Sequence, residues 1–95
     1  VAHQAWLRDT LAALGVRTVM DVAAGTGAQA AALVAAGTFD LVACNDLSAD
    51  MLARCRAKIG DPPPAGTPTV VRYLQHDWRH VHDVWREGPL DAVIC

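Results

Sequence analysis

Val19-Met-Asp21-Val-Ala23-Ala-Gly25-Thr-Gly27 is the stretch that decides the fold. Val16 to Val22 is a short apolar run with β-branched residues and reads as a buried strand. Ala23 to Gly27 is a turn of small residues. Gln29 to Ala36 beyond it is rich in Ala and Leu, the strongest helix formers, and Gly37 closes that helix. Small residues at 23, 25 and 27 let the backbone turn tightly and approach a ligand closely. The free N–H groups at the start of the following helix then face that ligand. A nucleotide-type cofactor at the carboxyl ends of the strands is the general expectation for such a unit.

The same alternation continues on both sides. Upstream, His3 to Leu14 places Trp6, Leu7, Leu11 and Leu14 on one helical face, and Gly15 is a natural stop. Downstream, Leu41 to Cys44 reads as a second buried strand, ended by Asn45 and Asp46. Ser48 caps a helix running to about Ile59, with Asp50 in its first turn where the dipole favours a carboxylate. Gly60 to Pro68 holds four prolines and two glycines and is a loop. Thr69 to Leu74 is a third strand, His76 to Glu87 a helix, and Asp91 to Cys95 a fourth strand. Strands this apolar do not face water, which predicts a parallel sheet between helices. Right-handed crossovers make it an α/β, doubly wound, Rossmann-like sheet with helices on both faces.

Composition narrows the class. A chain of 95 residues with 53% hydrophobic and 19% charged residues is neither disordered nor fibrous, and it forms one small domain of marginal stability. A net charge of −2 without a Lys/Arg run offers nothing to nucleic acid or an anionic membrane. Ala28 to Ala36 is too short to span a bilayer, and no basic-then-apolar leader is visible. Cys44, Cys55 and Cys95 are widely spaced and odd in number, so reduced thiols and a cytoplasmic location are expected. The run Asp91-Ala-Val-Ile-Cys95 would make a poor natural sheet edge. Residues 1–95 are therefore expected to be the N-terminal, cofactor-binding part of a larger domain.

Two cofactor classes compete for the glycine turn. Gly25-x-Gly27-x-x-Ala30 satisfies the dinucleotide fingerprint, with Asp46 at the right distance to hold a ribose, as in an NAD(P)-dependent oxidoreductase. Asp21 argues the other way. A dinucleotide fold carries apolar residues up to its first glycine, and a carboxylate in that place needs a partner. A cationic amino group on the ligand, such as that of S-adenosyl-L-methionine, or the N–H groups of the glycine loop would supply one, and S-adenosyl-L-methionine has no pyrophosphate to place on the helix.

Here the sequence resembles the class I S-adenosylmethionine-dependent methyltransferases, whose first motif is an apolar strand, an acidic residue and G-x-G-x-G. Val19-Met-Asp21-Val-Ala23-Ala-Gly25-Thr26-Gly27 follows it, with Ala23 in place of the first glycine. Asn45-Asp46-Leu47-Ser48-x-x-Met51-Leu52 resembles the second motif, and the resemblance implies that Asp46 accepts hydrogen bonds from both ribose hydroxyls. Gln75-His-Asp77-Trp78 resembles the segment after the third strand, which implies that Asp77 receives the adenine exocyclic amine. Trp78 would pack on the adenine plane, and Leu47 and Met51 would be core residues that also wall the pocket. The chain would then be the first four strands of a seven-stranded domain transferring a methyl group to a small-molecule acceptor. Glycine/sarcosine N-methyltransferases and quinone C-methyltransferases are the types it resembles.

Each of these residues also has a structural reading. Asp46 suits a turn, Asp77 a helix N-cap, Trp78 a core anchor and Thr26 a tolerated turn position. A non-catalytic module retaining the fold is the alternative outside enzymes. The segment His76-Asp-Trp-Arg-His80-Val-His82-Asp83 suggests a metal, but on a helix His82 points away from His76 and His80. No metal is expected, and no catalytic residue is assigned.

Overall fold

The computed structural model describes residues 2–95. Four strands, β1 (Thr18–Asp21), β2 (Leu41–Asn45), β3 (Val70–Leu74) and β4 (Ala92–Ile94), form one sheet in the order β3-β2-β1-β4. Every neighbouring pair is parallel, with Val19 opposite Val42 and Ala92, and Val42 opposite Val71. The helices are α1 (Ala2–Ala13), α2 (Ala28–Ala36), α3 (Ala49–Ile59) and a single turn, α4 (Val81–Val84), which follows a 3₁₀ turn at Trp78–His80.

Alternation along the strands sorts the side chains into two faces. Val19, Val42, Cys44 and Val71 join Leu11 of α1, Leu33 and Val34 of α2, and Cys55 and Ile59 of α3 in one buried cluster. Met20 and Ala43 point to the opposite face and are also buried. The strand order reverses direction after β3. A right-handed connection from β3 to β4 therefore crosses the face opposite α2 and α3, so the sheet is doubly wound as expected.

Element ends follow their chemistry. Ser48 Oγ accepts the Met51 N–H at 3.3 Å and starts α3. Gly37 ends α2 in the left-handed region at φ 72°, its N–H bonded to the Val34 carbonyl. The Asp91 carboxylate accepts the Arg17 and Thr18 N–H groups at 2.8 and 3.1 Å, while the Asp91 N–H donates to Thr18 Oγ1. That reciprocal clasp sets the register of β4 against β1.

Three expectations need correction. Trp6 and Leu14 are exposed rather than packed, so the face α1 buries is narrower and centres on Leu11. Leu47 and Met51 are exposed and take no part in the core, because they lie at and just after the carboxyl end of β2, above the layer where α3 buries Leu52, Cys55 and Ile59. The helix expected over 76–87 is reduced to the 3₁₀ turn and one turn of α4. No residue of either piece is buried, so no apolar stripe is available to extend the helix against the sheet. Trp85 takes an extended backbone, and its indole N–H donates to the Gly88 carbonyl at 2.6 Å.

Candidate cofactor site

All four strands end on one side of the sheet, and the expected site residues gather there. The turn after β1 is held in place by β2. The Ala24 N–H donates to the Asn45 carbonyl at 2.9 Å, and the Gly25 N–H donates to Asp46 Oδ2 at 2.9 Å. Asp46 Oδ1 takes the Ser48 N–H at 2.9 Å, so one carboxylate fastens the glycine turn to the start of α3. A carboxylate has about four acceptor positions, which leaves this one room for further donors.

Gly25 and Gly27 carry the turn's positive φ values, 57° and 88°, and no non-glycine residue among those described has a positive φ. Ala23 therefore replaces a glycine at no conformational cost. Gly27 meets a second demand. A Cβ there would lie 2.6 Å from Cys55 Sγ and 3.1 Å from its Cα, so the turn sits directly on α3. No side chain caps α2 at Gly27. Thr26 Oγ1 is 3.5 Å from Lys58 Nζ, on the α3 side of the turn.

Asp21 ends β1 with 3% of its surface exposed. Its Oδ1 accepts the Ala23 N–H at 3.2 Å, and no cation among the described residues pairs with it. Burial pushes its carboxyl above the ordinary range; the Ala23 bond opposes the rise, and the nearby Asp46 charge adds to it. A carboxylate in this state is poised for a cationic partner.

Beside the turn lies a cleft of about 390 Å³ walled by Val22, Ala23, Asp46, Leu47, His76, Asp77, Trp78 and Arg79. Asp46, Leu47, Asp77, Trp78 and Ala23 thus meet around one space. Trp78 is 62% exposed, so its ring is available as a wall rather than used as a core anchor. Asp21 at the end of β1, Gly25, Thr26 and Gly27 in the turn, and Met51 in α3 are not among its walls. Asp77 caps the 3₁₀ turn by accepting the Arg79 N–H at 3.0 Å, and its carboxylate is also clasped by the Arg79 guanidinium. That guanidinium holds the Asp77 carboxyl well below the usual carboxylate range.

Two residues that sequence reasoning passed over shape this space. Asn45 is fully buried. Its Nδ2 donates to the Val22 carbonyl at 3.0 Å and the His76 carbonyl at 2.9 Å, and its Oδ1 accepts the His76 N–H at 3.2 Å. One side chain thereby ties the ends of β1, β2 and β3 together. Arg79 is the other, and its only sequence signal is its place two residues after Asp77. Cys44 and Cys55 are buried free thiols and Cys95 is exposed. Among the described residues no group of His, Cys, Asp or Glu is arranged to hold a metal ion.

This arrangement, a glycine turn between a parallel strand and its helix with carboxylates after the first three strands, is that of a Rossmann-like cofactor-binding domain. Residues 19–95 match the methyltransferase domain family, and the chain belongs to it. A glycine/sarcosine/dimethylglycine N-methyltransferase of Actinopolyspora halophila is 39% identical over 88 residues, which are 92% of this chain and 14% of that protein. Among solved structures, the methyltransferase domain of bacterial CtHen1-C superposes with a TM-score of 0.75 at 21% identity, over 96% of this chain and 46% of the other. The glycopeptide N-methyltransferase MtfA complexed with sinefungin superposes with a TM-score of 0.68 at 22% identity, over 95% and 34%. At those identities the likeness is one of fold. The chain spans less than half the length of each of these proteins.

Proposed function

We propose that this domain binds S-adenosyl-L-methionine across the carboxyl ends of its strands, in an enzyme that methylates a small-molecule acceptor. The observation that carries the reading is Asp21, a buried carboxylate with no cation beside it among the described residues, at the foot of a glycine turn fastened to Asp46. Asp21 would take the cofactor's amino group, with the turn at Gly25, Thr26 and Gly27 admitting the methionine portion closely. Asp46 would accept the ribose hydroxyls. The cleft walled by Leu47, Asp77 and Trp78 would receive adenine.

When bound, that group would supply an activated methyl carbon for transfer to the acceptor, with the electron pair of the carbon–sulfur bond left on sulfur. The protein's part is to fix that carbon in line with the acceptor, roughly 3–3.5 Å away, which is a proximity effect. An apolar groove of about 530 Å³ at the boundary of β1 and β4 shares Val22, Ala23 and Trp78 with the cleft. Its position supports approach of the acceptor from that side. The 39% identical relative is named for glycine, sarcosine and dimethylglycine, which supports a small amine as acceptor. MtfA's complex with sinefungin, an S-adenosylmethionine analogue, supports the cofactor.

Calorimetric titration tests this reading. S-adenosylhomocysteine should bind and NAD should not. Asp46→Ala should weaken S-adenosylhomocysteine at least about tenfold, since hydrogen bonds to a charged group are worth roughly 1.5–3 kcal/mol each. Selective NAD binding would replace the methyltransferase reading with a dehydrogenase one. Binding of neither by folded protein would leave a non-catalytic module.

A further inference from the structure

We infer that Arg79 is a positioning residue that sets base specificity, holding the Asp77 carboxylate as an acceptor for the exocyclic amine of adenine. The inference rests on the reading of the cleft as an adenine pocket and goes beyond it in naming what makes the pocket selective. Arg79 walls the same cleft as Asp77 and Trp78. Its Nη2 donates to Asp77 Oδ2 at 2.6 Å, and its Nε lies 3.0 Å from Oδ1 and 3.2 Å from Oδ2. Its backbone N–H also donates to Oδ1 at 3.0 Å.

Counting lone pairs gives the consequence. Three N–H groups reach the carboxylate: the backbone N–H on Oδ1, Nη2 on Oδ2, and Nε shared between the two oxygens, against about four acceptor positions. Three donors leave one acceptor position on the carboxylate, which is what a single N–H of an exocyclic amine requires. A base carrying oxygen at that place, as hypoxanthine does, would set a lone pair against the carboxylate and be refused. The guanidinium also fixes the carboxylate's plane, because its two parallel donors leave the group no free rotation. Lysine keeps the charge but lacks the fork.

The alternative is an exposed ion pair of no consequence, since the Arg79 side chain is 66% exposed against 28% for Asp77. Titration of the full chain with S-adenosylhomocysteine and S-inosylhomocysteine separates the two. The unaltered protein should prefer the adenine compound at least about tenfold, the value of one charged hydrogen bond lost and one repulsion gained. Arg79→Ala should weaken S-adenosylhomocysteine about fivefold and leave S-inosylhomocysteine unchanged, with Arg79→Lys in between. An unchanged preference in Arg79→Ala, or equal weakening of both ligands, overturns the inference. Asp77→Ala distinguishes the two levels of failure. If it abolishes the preference while Arg79→Ala does not, only the role of Arg79 falls. If the unaltered protein shows no preference, or Asp77→Ala keeps it, the adenine pocket itself falls.

Discussion

Asp21 shows how one residue can be worse for the empty fold than for the bound one. Its carboxyl is raised above the ordinary range, chiefly by burial. Between the ordinary value and the raised one, the folded chain holds more protons at this group than the unfolded chain does. Its contribution to stability therefore falls as pH rises through that window and is unfavourable at neutral pH. Asp21→Asn keeps an oxygen for the Ala23 N–H and removes the charge. It should raise the thermal midpoint of ligand-free protein at pH 7.5, with the gain shrinking as pH falls from the raised value toward the ordinary carboxylate one. The same substitution should weaken S-adenosylhomocysteine binding in calorimetry. A lower midpoint at pH 7.5 would mean that Asp21 has a protein cation as partner.

The two turn glycines make a matched pair. Both have positive φ, but a Cβ meets nothing within 4 Å at Gly25 and Cys55 at 2.6 Å at Gly27. Gly25→Ala should cost about 1 kcal/mol, the left-handed backbone alone. Gly27→Ala adds overpacking and should cost roughly 2–4 kcal/mol. Urea denaturation of the two variants reads the difference, and equal losses would place the contact with Cys55 elsewhere. At this scale the sequence carried the glycines, Asp21 and Asp46 plainly, because a small-residue turn between a strand and a helix, with a carboxylate ending an apolar strand, is a local pattern. Asn45 was not legible. A polar residue after an apolar strand reads as the strand's exposed end, and only the three-strand junction shows that it is buried and fully hydrogen-bonded.

Among the elements, those whose signals were local came out within a residue or two. Ser48, Gly37 and the proline-rich loop act through neighbouring backbone, so α2, α3, β2 and β3 were readable from their ends inward. The segment after β3 was misjudged because nothing local stops a helix there; what is missing is a buried face, a tertiary quantity. β4 is a different case. It is three residues long and pairs with β1 alone, yet the Asp91 clasp fixes its start. Carboxylate bonds to the Arg17 and Thr18 N–H groups hold the Asp91 carboxyl below its usual range. Asp91→Ala should therefore loosen β4 selectively. Hydrogen exchange should quicken at Val22, whose N–H bonds the Ile94 carbonyl, while β2 amides paired to β1 stay protected. Uniform acceleration across the sheet would show that the clasp supports global stability instead.

For the molecule as a whole, the sheet is unevenly defended. The β3 edge presents Arg72, which pairs with Glu87, and charge at an edge discourages pairing with another sheet. The β4 edge has no such protection. Val93 is 59% exposed there, and it lines the apolar groove with Ile94 and Cys95. An open, apolar strand edge offers both backbone hydrogen bonds and burial to a second copy. These 95 residues, produced alone, should accordingly self-associate as concentration rises, which sedimentation velocity would record. Val93→Lys places a charge on the exposed face of β4 and leaves the faces of Ala92 and Ile94 against the core untouched. It should return the chain to a monomer without lowering its melting midpoint by more than a surface change does, about 0.5 kcal/mol. Dimers that persist in Val93→Lys would direct attention to the other exposed apolar surface, Trp6 and Leu14 on α1.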